Sequence, residues 1–290
     1  MAEPKIPADI SLASVARVFA QATSTESAEH IKPLHRYLAG RFVIEGGFLP
    51  TDLRPRPPLE ASRRAGHWSL SFASDPDGEE EQVVLGALKS KRIDLVASKV
   101  GIGPMVAVSV KGTSRAFRNL VNRTEEAIGD CANIHIMYPG LVYGFVHFLK
   151  ATEPNDPGLK PNDISLDANG DVVPAIKAYA KILEALTGRR LVRNDYARYE
   201  AVGLALIKGK TAKRENPLLT NFPAPDSPLT LSAFFEALYR AYDLRFPYTY
   251  TDPSLKHLAR PQWYPESPAL IALRKIEASG RATRLFCENG

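Results

Sequence analysis

From Arg92 to Ile128 the chain runs through two short β-branched stretches, a glycine-rich turn and then a helical repeat, an order that commits it to a sheet covered by a helix. Arg92-Ile93-Asp94-Leu95-Val96-Ala97 and Met105-Val106-Ala107-Val108-Ser109-Val110 have the branched, apolar make-up of strands. Gly101, Gly103 and Pro104 stand between them as the punctuation of a hairpin connection. Gly112 ends the second strand, and Thr113 or Ser114 can cap the helix that follows. Phe117, Leu120, Val121, Thr124 and Ile128 then recur at helical spacing as one apolar stripe.

Polar residues interrupt this pattern at chosen places. Period two puts Ala107, Ser109 and Lys111 on one face of the second strand, with Val106, Val108 and Val110 on the other. Asp94 lies inside the first apolar strand, where an acid on a neighbouring strand can meet Ser109 and Lys111. At about 100° per residue, Glu125 falls at the border of the helical stripe and looks along the sheet toward Lys111, while Glu126 falls on the wet side. Arg115, Arg118 and Asn122 line the flank between them. Two acids and a lysine so placed can hold a divalent metal beside a phosphodiester. The strands alone would favour a surface Asp–Lys pair; the carboxylate on the helix tips the reading to the metal.

This segment resembles the PD-(D/E)XK nuclease superfamily, which includes most type II restriction endonucleases. The usual signature is an Asp on one strand and Glu-X-Lys on the next; here Ser109 stands where the second acid would be. Ser109-Val110-Lys111 followed by Glu125 is similar to the branch of restriction enzymes whose catalytic glutamate has migrated to the next helix. The resemblance covers residues 65–150. It implies an α/β fold with a restriction-endonuclease-like mixed β-sheet flanked by helices. It also implies a type II site-specific deoxyribonuclease that cuts double-stranded DNA and leaves 5′-phosphates. Asp94 and Glu125, with the Val110 carbonyl, would hold Mg²⁺, a hard cation that takes oxygen ligands. Lys111 would orient the attacking water and stabilise developing charge, with Ser109 completing the catalytic set. Arg115, Arg118, Asn122 and Arg123 would face DNA, and Lys210, in the basic stretch Lys208–Arg214, would grip its backbone. A palindromic duplex target implies a homodimer by symmetry.

Whole-chain properties agree with this expectation. The 290 residues exceed the usual size of one domain, and an apolar content of 44% supports a sizeable core. Three regions are expected: a helical region over 1–60, a nuclease core over 61–210, and a helix and loop extension over 211–290. Apolar positions predict helices within 9–43, 176–186 and 231–242, and strands over 67–72, 134–138, 141–148 and 199–207. The formal net charge of +5 suits a polyanionic partner. Neither a leader nor a membrane span is expected, and the two cysteines, Cys131 and Cys287, are not expected to form a zinc or disulfide framework. A cytoplasmic protein is the expectation.

Other residues carry competing readings. Asp77 lies in a literal Pro-Asp within a DPDG turn and is the alternative metal acid. Glu60, on an expected helix, reads as a solvated acid beside Arg63 and Arg64; it or the Glu79–Glu81 run is the source of the second acid if Glu125 is not. His135 and His147 read as core or edge histidines. The competing class is a nucleic-acid-binding module on the same sheet without catalysis. A nucleotide-cofactor enzyme is disfavoured, since no GxGxxG or P-loop follows a strand.

Overall fold

The computed structural model describes residues 6–22, 28–64, 66–73, 81–190, 195–209, 216–247, 253 and 259–278. Two helices, α1 (Leu12–Ala20) and α2 (Ala28–Ile44), precede β1 (Leu53–Arg54), β2 (Leu59–Arg64), β3 (His67–Phe72), β4 (Gln82–Val84), β5 (Lys91–Ile93), β6 (Leu95–Lys99) and β7 (Gly103–Thr113). Then follow α3 (Leu120–Met137), β8 (Val142–Ala151), α4 (Pro174–Leu186), β9 (Ala201–Lys208), α5 (Leu231–Arg245) and α6 (Pro268–Ala278).

The expected hairpin forms: β6 and β7 pair antiparallel with Leu95 opposite Val108 and Ala97 opposite Val106. α3 then carries the chain across the sheet so that β8 runs parallel to β7, and α4 does the same between β8 and β9. The central sheet therefore has the order β1-β6-β7-β8-β9, antiparallel on one side and parallel on the other. This is an α/β protein with a mixed sheet flanked by helices.

Both sheet faces are covered, which explains why β7, β8 and β9 are almost continuously apolar. On one face Val108, Val110, Val146 and Phe148 pack with Phe19, Leu38, Phe42, Phe235 and Leu238 of α1, α2 and α5. On the other, Ala107, Tyr143, Phe145 and Leu204 pack with Leu120, Cys131, Ile176 and Leu183 of α3 and α4. Gly112 brings the first helical layer close to β7. A Cβ there would come within 2.6 Å of both Ile31 Cδ1 and Phe19 Cε2, so a side chain would have to displace the ends of these two residues.

Three local expectations change. The apolar run at Ile134–Tyr138 is not a strand but the end of α3, with Ile134 buried and Ile136 exposed. A short apolar run does not by itself distinguish a buried strand from a helix segment. β3 lies outside the central sheet and pairs with β2 as a separate hairpin, because only Leu70 of its six residues is buried. Glu60 is therefore an exposed strand residue, not a helical one.

The third change concerns the start of α3. β7 runs on through Thr113, so neither Thr113 nor Ser114 caps a helix. Ala116 then takes a left-handed conformation with φ 58°, a single 3₁₀ turn follows at Phe117–Asn119, and α3 begins at Leu120. The buried stripe becomes Leu120, Thr124, Ala127, Cys131 and Ile134. Val121, expected inside, is 54% exposed.

Candidate metal centre

A notch opens in the sheet where β6 parts from β7. Leu95 is the last residue of the β6–β7 ladder on this side, and Asp94, which would lie next opposite β7, breaks the strand. Its side chain replaces the missing ladder partner: Asp94 Oδ2 accepts the Val110 N–H at 2.7 Å. A strand residue's N–H and C=O point to the same side, so the Val110 carbonyl faces the notch as well.

The chain before Asp94 is the two-stranded ribbon β4–β5, with Gln82 opposite Ile93. That pairing returns Glu81, immediately before β4, to the neighbourhood of Asp94. α3 holds the ribbon from outside. Asn133 Oδ1 accepts the Leu88 N–H at 2.8 Å, its Nδ2 donates to the Lys89 carbonyl at 2.9 Å, and Lys91 pairs with Asp130. Gly86 lets this loop dock, since a Cβ there would sit 2.1 Å from Asn133 Nδ2.

The third member comes from the other face. His35 lies on the buried stripe of α2 with Leu34 and Leu38. Its Nδ1 is 3.2 Å from Glu81 Oε1 and its Nε2 is 3.9 Å from Asp94 Oδ1. The 3.2 Å contact couples the ring to the Glu81 carboxylate, although by strict geometry neither buried ring nitrogen has a well-aligned hydrogen-bond partner. One ligand atom from each of His35, Glu81 and Asp94 lies within 4.8 Å of the others, and this is the one such group among the described residues.

The two carboxyls are driven in opposite directions. Burial raises Asp94 above its ordinary value, and nearby Glu81 adds to that; the charge of His35, the Val110 N–H and Lys111 oppose it. Glu81 is lowered, chiefly by the adjoining His35 ring and further by Arg92 and Lys32, against the effect of its burial. A buried imidazole flanked by two carboxylates whose charges repel is a donor set that a divalent cation fits. Lys111 is half-buried on β7 and close enough for its charge to lower Asp94.

The remaining expected site residues are dispersed. Ser109 shares the Lys111 face but lies deeper. It is buried and its hydroxyl meets the Tyr143 hydroxyl at 3.2 Å, in the core under α3. Glu125 is exposed, because the later start of α3 turns the buried stripe toward Thr124 and leaves Glu125 about 100° away. It is not part of the group around Asp94; Glu81 holds that place. Asn122 is exposed, and Arg123 pairs with Glu126 at 3.1 Å. Arg115 lies apart from these, in a cleft past the end of β7. The Arg118 side chain, Lys210 and Asp77 lie outside the described residues. His135 and His147 are fully buried core residues, as expected, although His135 sits on α3 and not on a strand.

Sequence reasoning missed His35, and the missed signal was a polar residue within the apolar repeat Ile31, Leu34, Leu38, Phe42. Among the described residues, no helix is long and apolar enough to cross a membrane. Comparisons with protein-family models, curated proteins and solved structures return no match to this chain.

Proposed function

We infer that this chain is a divalent-metal-dependent endonuclease acting on double-stranded DNA, with a restriction-endonuclease-like core and its reactive centre at the notch between β6 and β7. One observation carries the reading: two carboxylates and a histidine, drawn from three separate segments, converge on the strand break beside Lys111. His35, Glu81 and Asp94 would hold the cation, with the Val110 carbonyl facing the same space. When bound, the cation supplies a more acidic water and neutralises charge on the phosphodiester.

The chain's own residues supply the rest. Lys111 places a cation beside the scissile phosphate and stabilises the charge that develops there. Asp94 is fixed by the Val110 N–H, so its orientation is set before substrate arrives. An imidazole in the donor set suits Mn²⁺ alongside the expected Mg²⁺, since carboxylate-only sites favour harder ions. Of the arginines expected to face DNA, Arg115 and Arg123 are the first candidates for such contacts. A symmetric target would call for two copies of the chain.

Incubation of plasmid DNA with the protein in Mg²⁺ or Mn²⁺ tests this directly. Discrete fragments carrying 5′-phosphates are expected, and sequencing their ends gives the recognition site. Duplex binding without cleavage in either metal would favour the non-catalytic module.

A further inference from the structure

A second cleft opens past the carboxyl ends of the parallel strands. It encloses about 430 Å³, and Arg115, Lys150 and Lys208 line it, one following β7, one near the end of β8 and one closing β9. The carboxyl edge of parallel strands is where open α/β sheets receive ligands. Lys150 faces the α1 side of the sheet and Lys208 the α3 and α4 side, by period two from their buried neighbours Phe148 and Leu206. The cations therefore reach around the strand ends from both layers.

Their charges are only partly compensated: Asp156 offsets Lys150 and Arg115 acts on the Asp163 carboxylate, both without ion-pair contact. Among the described residues none of the three forms an ion pair, and Lys150 makes one long bond, 3.3 Å, to the Ala22 carbonyl. Burial, and then the charge of Arg115, hold Lys150 below its ordinary value against the opposing charge of Asp156. Two acids also line the cleft. Glu153 is exposed, and Asp156 is engaged by the Glu153 N–H at 2.9 Å within its own turn. A group bearing one negative charge and several acceptor oxygens would relieve the repulsion between Arg115 and Lys150.

We propose that this cleft is a phosphate-binding site that takes a backbone phosphodiester of the DNA strand. The identity of the ligand's carrier rests on the nuclease reading; the cleft's preference for a phosphate group does not. In the β7–β8 register Lys111 lies opposite His147, three residues before Lys150. At about 3.3 Å per residue the cleft is therefore about 10 Å along the sheet from Lys111. A DNA strand carries a phosphate about every 3.4 Å of helix axis, so with the duplex axis along the strands the contact would fall about three nucleotides from the cut.

The test uses the full chain, a fluorescent duplex and Ca²⁺ in place of Mg²⁺, with affinity measured across a salt series. Lys150→Gln and Lys208→Gln should each flatten the dependence of log Kd on log salt by about one unit, and the double variant by about two. Lys181→Gln, on the exposed face of α4, is the control and should leave the slope unchanged. Inorganic phosphate is titrated against the same variants by ³¹P NMR. Tight phosphate binding that the variants abolish, with unchanged DNA slopes, overturns the backbone assignment in favour of a free phosphate. Unchanged slopes with no phosphate binding overturn the site altogether. Cleavage in Mg²⁺ is scored separately. Slopes that change in a protein that never cuts DNA overturn the nuclease reading and leave the cleft standing, and cutting with unchanged slopes does the reverse.

Discussion

Asp94 Oδ2 accepts the Val110 N–H at 2.7 Å while its Oδ1 faces His35 Nε2 at 3.9 Å. One carboxylate thus closes the broken β6–β7 ladder and turns its second oxygen into the notch. The same residue repairs the sheet and completes the candidate centre.

The identity of the second acid is the sharpest test of that centre. Glu81→Gln should abolish DNA cleavage as fully as Asp94→Asn, with duplex affinity kept within about threefold, since each removes a ligand and not a grip on DNA. Glu125→Ala should cut at near the wild-type rate, because Glu125 is exposed and outside the group. The reverse pattern, active Glu81→Gln with dead Glu125→Ala, would return the catalytic carboxylate to α3.

Stability without metal should report the strain in the site. Asp94 is raised in the folded protein, so its contribution is most favourable at low pH and is lost as pH rises through its folded value. Asp94→Asn should therefore raise the melting temperature at pH 7 in EDTA. Mn²⁺ at a hundredfold excess over its Kd should stabilise the wild type by about 2.7 kcal/mol and leave Asp94→Asn unmoved. A metal-dependent shift that survives in the variant would place the ion elsewhere.

At the opposite end of the parallel strands, Glu200 is a structural anion. It accepts hydrogen bonds from Arg189 at 2.9 Å, Arg245 at 2.6 Å and the Tyr143 N–H at 2.7 Å. Burial would raise its pKa, but His135, Arg245 and the Tyr143 N–H overcome that and bring it down to about 2. A lowered carboxyl stabilises above its unfolded value, and that stability is lost as pH falls toward the folded value, so the loss should span pH 4.5 to 2. Glu200→Gln should cost about 3–5 kcal/mol at pH 7, because it leaves buried cations uncompensated. Urea melts of the two proteins at pH 7 would show it, and a cost under 1 kcal/mol would contradict it.

His147 lies opposite Lys111 in the sheet and is held neutral. Burial first, then the charges of Lys111 and Arg123, push it down to about 3. Its ring bridges Thr113 at 2.8 Å and the Tyr179 hydroxyl at 2.6 Å. Tyr179→Phe should cost about 1–3 kcal/mol by leaving a buried ring nitrogen unpaired. The neutral ring stabilises above pH 6.5 and that contribution fades as pH falls toward 3, so His147→Gln should reduce the acid sensitivity of unfolding below pH 6.5. An unchanged pH profile in this variant would show that His147 does not titrate on unfolding.

Local pattern was enough to pair β6 with β7, to follow β7 with a helix and to find β8. Each of these depends on short-range periodicity, which the order of residues carries by itself. The phase of α3 was not legible, because the left-handed Ala116 and the 3₁₀ turn delay the helix and rotate Glu125 into solvent. Nor could the sequence show that Glu81 and His35 meet Asp94. That meeting needs the β4–β5 ribbon anchored on Asn133 and Asp130, and α2 packed down over Gly112. Side-chain spacing along one element follows from backbone geometry alone, whereas the approach of three separate segments is decided only when the two core layers close on the sheet.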